Sequence, residues 1–382
     1  MKTLLPAIAL ATALGSLATQ AHADLTIGVI LPLTGSASSF GIPAKNALAL
    51  WPETIAGEKV KMIVLDDESD PTKGNKNARR LISEDKVDMI VGSVLTPTAL
   101  SISEVAHEGK TVQFALAPIE LPEDKGHWIF RIAHSNAVWS SGLVDHMKKN
   151  GVKTLGFIGY SDSHGETYLK YVTQLAKEAG ITITNVERFS RTDTSVTAQA
   201  LKVVGAKPDA ILVVASGGGA AMPHKALVDR GYKGKIYQTA SAAARDYLRL
   251  GGKDVEGALV VVGPTSLPES LPDSYPAKKA AVSFVEKYEK MYGANTRNQF
   301  SPYVFDPSMI LEKVVPEAKK KGQPGTPEFR AALRDALENA GGVVTTQGVL
   351  RWTAKDHFGR GDDSRMMATV QSGEWKAIAP KP

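Results

Sequence analysis

Hydroxyl-bearing residues recur in this chain at one kind of place: just behind a short apolar run and just ahead of a helical pattern. VGSVLTPTAL at 91–100 sets Ser93, Thr96 and Thr98 there. The stretches Thr34-Gly35-Ser36-Ala37-Ser38-Ser39-Phe40-Gly41, Ser161-Asp162-Ser163-His164-Gly165, Ala215-Ser216-Gly217-Gly218-Gly219 and Thr239-Ala240-Ser241 repeat the arrangement. Such groups can attack a carbonyl, cap a helix, or hold an anion. Attack is poorly supported, because a nucleophile elbow needs glycine two residues to either side of its serine and no serine here has that spacing. Capping a helix and holding an anion both remain open. Hydroxyls and open N–H groups at helix N-termini favour negative charge by about 0.3–1 kcal/mol, so a carboxylate can sit there without a cationic side chain.

Other chemistries lack their signatures. There is no GxxxxGK[ST] loop, and Gly217-Gly218-Gly219 is not followed by the third glycine of a dinucleotide fingerprint. The eight histidines form no HExxH pair. The densest acidic cluster, Asp66-Asp67-Glu68-Ser69-Asp70, lacks the alternating acids and turn glycine of a calcium loop. No cofactor and no metal is therefore expected. Structural duty suits that cluster better, with Asp70 capping a helix that opens at Pro71. Asp306 is expected to do the same ahead of Pro307.

The elements that carry these loops alternate. TIGVIL, KVKMIVL, DMIVG, TVQFALA and WIFRI are β-branched runs between Thr26 and Ile132, with helical periodicity near 42–50, 71–85 and 97–109. A second series follows with KTLGFIGY, ITITNVERF, DAILVVAS, KIYQTA and GALVVVG, and with helices near 135–150, 164–179, 195–205 and 220–231. Alternation of this kind predicts an α/β fold with parallel-type sheets, built twice. TIGVILPLTGSASSFG at 26–41 and TLGFIGYSDSHGE at 154–166 echo one another as strand, hydroxyl-rich loop, glycine and helix. Past the Pro-rich connection 263–276, helices are expected near 277–292, 302–321 and 326–340, then short strands at 348–352 and 366–371. In an open parallel sheet the loops at the carboxyl ends of the strands meet along one edge, where ligands bind. Contacts are therefore expected from Ser36, Ser38, Phe40, Ser93, Thr96, Thr98, Leu116, Ala117, His164, Gly218 and Ser241. His164 either reaches a ligand or caps the helix behind it, and Trp51 and Trp139 are either apolar walls or plain core.

Composition sets the setting. The first 23 of 382 residues carry one charge, Lys2, then LLPAIALATALGSLA and Ala21-His22-Ala23, the pattern of a secretory signal cut before Asp24. The rest of the chain is longer than one compact core usually holds, which predicts two domains. Lysine and arginine number 45 against 40 acidic residues and are scattered, so nucleic acid is not an expected partner. Without cysteine, an exported protein depends on burial for its stability, and a bacterial periplasm fits.

VILPLTGSASSFGIPAKN at 29–46, LDDESDPTKG at 65–74, the VGS…T loop and FIGYSDSHGE at 157–166, in this order, resemble the periplasmic solute-binding proteins of ABC importers, most of all the leucine/isoleucine/valine-binding (type I) family. The likeness covers about 24–370. It implies two Rossmann-like lobes joined by three hinge crossovers near 133–136, 262–264 and 347–350, with lobe 1 as 24–132 and 264–347 and lobe 2 as 133–263 and 348–382. It also implies a monomer that takes a small carboxylate into its cleft and passes it to a permease and ATPase complex in the inner membrane. In amino-acid-binding members, hydroxyls on the loops after the third and fourth strands hold the α-carboxylate. Thr96 or Thr98 can do so here, whereas the second loop offers Ala117-Pro118. The acid that receives the ligand's ammonium should follow KIYQTA, yet Thr239, Ala240, Ser241 and Ala242 are neutral, and Asp246 is expected inside the next helix. ASGGGAAMP at 215–223 resembles a sub-branch that takes aromatic or other organic acids. A carboxylate without an α-amino group is thus expected ahead of a branched-chain amino acid. A sensory subunit that reports its ligand to a receptor and an exported α/β hydrolase are the rival readings.

Overall fold

The computed structural model describes residues 24–378, and the expected leader lies outside them. Two large sheets follow one another along the chain. The first contains β1 (Leu25–Leu31), β2 (Thr54–Ile55), β3 (Glu58–Asp66), β4 (Met89–Gly92), β5 (Val112–Ala115) and β6 (Ile129–Arg131) in the order β2-β3-β1-β4-β5-β6. The second contains β7 (Thr154–Tyr160), β8 (Thr182–Phe189), β9 (Ala210–Val214), β10 (Lys235–Gln238) and β11 (Leu259–Val262), and is completed by β14 (Met366–Gln371) and β15 (Glu374–Ala377). Its order is β15-β14-β11-β10-β9-β7-β8. Between β11 and β14 in sequence, β12 (Val343–Thr345) and β13 (Gly348–Leu350) form a small hairpin. The five-strand parallel runs β3-β1-β4-β5-β6 and β8-β7-β9-β10-β11 have one connectivity, so the doubling read from the sequence is a doubling of topology.

Strand alternation explains the layers. In β1, Leu25, Ile27, Val29 and Leu31 face one core, while Ile30 faces another with Leu81 and Ile102. Helices α1 (Ser38–Asn46), α9 (Lys278–Tyr292), α10 (Ser301–Ala318) and α11 (Pro327–Glu338) supply residues to or border the first core, and α2 (Pro71–Ser83) and α3 (Thr96–Glu108) cover the opposite face. The second sheet is sandwiched in the same way by α4 (Asn136–Lys149) and α5 (Ser163–Glu178) on one face and by α6 (Thr197–Gly205), α7 (Gly217–Asp229) and α8 (Arg245–Gly251) on the other. Burying both faces suits the near-continuous apolar runs of these strands.

Three segments pass between the sheets. The first connects β6 to α4, where Ser135 caps α4 by accepting from Val138 N. The second follows β11. On the third, Trp352 stacks on Phe114 at 5.8 Å, and His357 lies 4.0 Å from the Phe130 ring and accepts from Arg131 N. The chain thus stays packed on the first sheet to Arg360, beyond the crossover expected near 347–350, because its aromatic residues fill the end of that core. It reaches the second sheet only at Met366.

Asp70 caps α2, accepting from Thr72 N and Lys73 N. Its acidic neighbours are structural as well. Asp66 accepts from Leu33 N and Thr34 N and from the Thr34 hydroxyl, which ties the loop after β1 to the loop after β3. Asp306 is no helix cap, since α10 opens five residues earlier at Ser301. Its carboxylate is buried against Arg360 at 2.8 Å and also accepts from the backbone and hydroxyl of Thr346.

Candidate functional site

Both sheets reverse strand order between their first and third parallel strands, and the loops at this edge face each other across a narrow cleft. Lobe 1 contributes Phe40 after β1, Val94 to Thr96 after β4, and Leu116 and Pro118 after β5. From lobe 2 come His164 and Tyr168 on α5, Arg191 after β8, Ser216 after β9, and Ala240 and Ser241 after β10. The floor is made by Ala133, Trp139, Gln299, Phe300 and Tyr303 beside the crossovers.

The floor is tied together. Gln299 Oε1 accepts from Gly263 N at 3.0 Å and its Nε2 donates to the Tyr303 hydroxyl at 2.8 Å. That hydroxyl lies 3.0 Å from His134 Nδ1, while His134 Nε2 lies 2.8 Å from the Ser364 carbonyl. Only one assignment satisfies the chain: Nε2 carries the proton and donates to Ser364, and Nδ1 accepts from Tyr303. Complete burial, with Arg360 nearby, holds the His134 pKa well below its ordinary value. The imidazole therefore links the first and third crossovers as a neutral group.

Of the residues expected from sequence, Phe40, Thr96, Leu116, His164 and Ser241 line this cleft. Ser36 and Gly218 line a neighbouring outer chamber that shares Phe40, Arg191 and Ser216 with it. Four others lie elsewhere. The Ser93 hydroxyl is buried and donates to Asp67 Oδ2 at 2.7 Å, so it fixes the acidic loop. Thr98 is the third residue of α3 and turns toward α2, where its methyl group would crowd any side chain at Gly74. Ser38 begins α1 without lining the cleft, and Ala117 is buried beside Pro118, which takes the lining position. Trp51 is core, its indole donating to the Val304 carbonyl, whereas Trp139 does line the cleft.

His164 does not cap its helix. Asp162 does so, accepting from His164 N at 2.9 Å and Gly165 N at 3.3 Å. The His164 ring packs edge-on against Tyr168 and is buried, its Nε2 without a hydrogen-bond partner. Burial and then the Arg191 charge lower its pKa to about 4 against the pull of Asp162. The cleft thus holds a neutral imidazole with hydrogen-bonding capacity to spare.

Arg191 overturns one expectation, for the cleft contains a cation. Its Nε donates to Asp162 Oδ2 at 2.6 Å, and its guanidinium lies 4.1 Å from the centre of the Tyr160 ring. The loop after β8 obeys the same strand-end rule as its neighbours, and that rule was the available signal. Gln299, Phe300 and Tyr303 had none, because they reach the cleft from a helix start more than a hundred residues beyond the last cleft loop of lobe 1. Among the described residues no acidic side chain lines the cleft, and Asp246 sits in α8 at the outer chamber, paired with Arg249. The arrangement suits an anion with an apolar body: one guanidinium, neutral hydroxyl and amide donors, and walls of Phe40, Leu116, Trp139 and Phe300.

The sequence pattern of the family described as periplasmic binding protein matches residues 24–374. Leu/Ile/Val-binding protein homolog 3 of Brucella melitensis is 25% identical over 266 residues, covering 67% of this chain and 72% of that one. The crystal structure of an extracellular ligand-binding receptor from Rhodopseudomonas palustris HaA2 is 43% identical, with a TM-score of 0.92 over 93% of this chain and all (100%) of that one. A solute-binding protein of an ABC transporter from R. palustris, solved with benzoate, shares the fold at 17% identity, with a TM-score of 0.77 over 93% of this chain and 96% of that one. The match along nearly the whole chain, the twice-built sheet and the cleft between its halves agree: the chain belongs to the periplasmic binding protein family, in its leucine/isoleucine/valine-binding, type I branch.

Proposed function

We propose that this protein is the periplasmic receptor of an ABC importer and that its cargo is a small organic acid without an α-amino group, an aromatic acid first of all. One observation carries the reading: the cleft lining has one guanidinium, Arg191, and no carboxylate. A carboxylate gains a charge-assisted partner there. An ammonium would meet no carboxylate on the cleft lining, the nearby Asp162 being taken up by Arg191 and the α5 N-terminus, at a cost of several kcal/mol. Aromatic and aliphatic walls suit a flat apolar body, and the benzoate held by the R. palustris relative is a ligand of this class. Among the described residues no helix is long and apolar enough to cross a membrane.

A thermal-shift screen tests the ligand class. Benzoate, 3,4-dihydroxybenzoate, phenylacetate and 4-methylpentanoate are set against leucine, isoleucine and valine. An acid present at about a hundred times its Kd adds about 2.7 kcal/mol of stability. The expected result is a rise in Tm with one or more of the acids and none with the amino acids. Stabilisation by leucine, isoleucine or valine alone contradicts the reading.

A further inference from the structure

Arg191 lies on the loop behind an edge strand, and an arginine side chain there has about 2 kcal/mol of rotamer entropy to lose when held in one geometry. Something must hold it against the cleft, since its side chain is 20% exposed and the outer chamber gives it a second place to go. Two contacts do so: Asp162 Oδ2 takes its Nε, and the face of Tyr160 lies under its guanidinium. With Nε occupied, the remaining edge is the pair of terminal nitrogens, for which no protein hydrogen bond is found among the described residues. Two parallel N–H groups on one edge form the fork that a carboxylate meets bidentately.

Asp162 does a second thing with its other oxygen. Oδ1 caps α5 through His164 N and Gly165 N, which sets the first turn of the helix that carries His164 into the cleft. The unpartnered, buried imidazole and the free guanidinium edge are therefore placed by the two oxygens of one carboxylate. We infer that Asp162 is a positioning residue for ligand recognition: it orients Arg191 toward the ligand's carboxylate and sets the His164 ring beside it, without touching the ligand. This rests on the reading of the cleft as an acid-binding site.

The competing effect is repulsion, since Asp162 is itself negative and lies near the anion it helps to place. Asparagine separates the two. In Asp162→Asn the amide oxygen can still cap α5, but the NH₂ group that replaces Oδ2 faces the Arg191 N–H as donor against donor. Orientation is lost, and so is the repulsive charge.

The test uses the acid that stabilises most in the screen above, with its primary amide as an uncharged analogue, titrated calorimetrically into the full mature chain. Positioning predicts that Asp162→Asn weakens the acid by about tenfold or more, a charge-assisted hydrogen bond being at stake. It also predicts little change for the amide, so that discrimination between acid and amide shrinks. Arg191→Gln weakens the acid by at least as much, and adding Asp162→Asn to it does nothing more, since a residue that acts through Arg191 is silent without it. Unchanged or tighter acid binding in Asp162→Asn overturns the inference, and so do additive effects in the double variant. If Arg191→Gln alone binds the acid as the unaltered protein does, or if no acid binds at all, the acid-binding reading fails and takes the inference with it. A structural loss in Asp162→Asn is recognised because it weakens acid and amide alike, which also counts against positioning.

Discussion

Arg191 and His164 divide the electrostatics of the cleft. Arginine keeps its charge at every physiological pH, and His164, with its pKa near 4, stays neutral above about pH 5. Acid binding is therefore expected to be flat from pH 8 to pH 5.5; a step in Kd near pH 6.5 would show that His164 titrates as an open histidine does. Stability has a different profile. The pKa of His164, and that of His224, buried against Gln238 and Tyr247, falls from 6.5 unfolded to about 4 folded. Each group's stabilisation is complete above about pH 6.5 and is withdrawn as pH falls toward 4, on the order of a few kcal/mol apiece. Asp67 runs the other way. Burial raises its pKa to about 6, so the cost of keeping it ionised is relieved as pH drops through 6. His134 and His357, which burial also lowers, stand with these two against the raised Asp67 and Asp88, so the midpoint of urea unfolding should fall between pH 6.5 and 4.5; a midpoint that rises over this interval contradicts the burial assigned to the histidines. Why some site residues were legible follows from the same details. Phe40, Thr96 and His164 occupy strand-end loops that sequence pattern locates. Ser93 and Thr98 share such a loop but turn away, because a buried Asp67 and the α2 surface claim them, and no spacing rule reports the direction of a side chain.

At the scale of elements, the echo between 26–41 and 154–166 has a physical cause. α1 and α5 each start right behind the first strand of a sheet, and in each a glycine in the first turn lies against the carbonyl at the strand's end. A Cβ on Gly41 would fall 1.8 Å from Pro32 O, and one on Gly165 would fall 1.8 Å from Tyr160 O. Both contacts are with backbone, so neither helix can accept a methyl group without moving off its strand. Gly41→Ala and Gly165→Ala are each expected to destabilise by about 1–3 kcal/mol and to displace Phe40 and His164 respectively; a chemical-denaturation curve that matches the unaltered protein would show the close approach to be false. Ser135→Ala, which removes the cap of α4, is expected to cost about 1 kcal/mol. The ten parallel strands were legible because they are short, mostly β-branched runs, whereas the short antiparallel β2, β12 and β15 were not anticipated. The third crossover was not, because its position depends on Trp352 and His357 filling a gap between Phe114 and Phe130, residues that lie far earlier in the chain.

For the whole molecule, the two lobes touch across the cleft mouth. Phe40 of lobe 1 packs so closely on Gly217 of lobe 2 that a Cβ there would fall 2.4 Å from its ring. Outside the cleft, the Tyr171 hydroxyl on α5 donates to Glu120 Oε1 at 2.7 Å, and Lys170 lies 3.7 Å from the other oxygen. These contacts join parts of the chain connected only through the crossovers, and a hinge motion parting the lobes, which we propose accompanies ligand release, would break them. A ligand that touches both sides favours the shut form by its difference in affinity for the two states, which is how a binding protein reports that it is loaded. Tyr171→Phe removes one hydrogen bond between the lobes and leaves the cleft lining intact. Its expected effect is a loss of acid affinity of about threefold to tenfold, carried by faster dissociation; unchanged dissociation would place that contact outside the closing motion. What sits between the lobes is settled by a crystal structure of the protein with its most stabilising acid. The acid's carboxylate is expected on the terminal nitrogens of Arg191, its apolar body between Phe40, Leu116 and Trp139, and the lobes shut around it. A carboxylate bound away from Arg191, or an acid held outside the cleft, would contradict this arrangement.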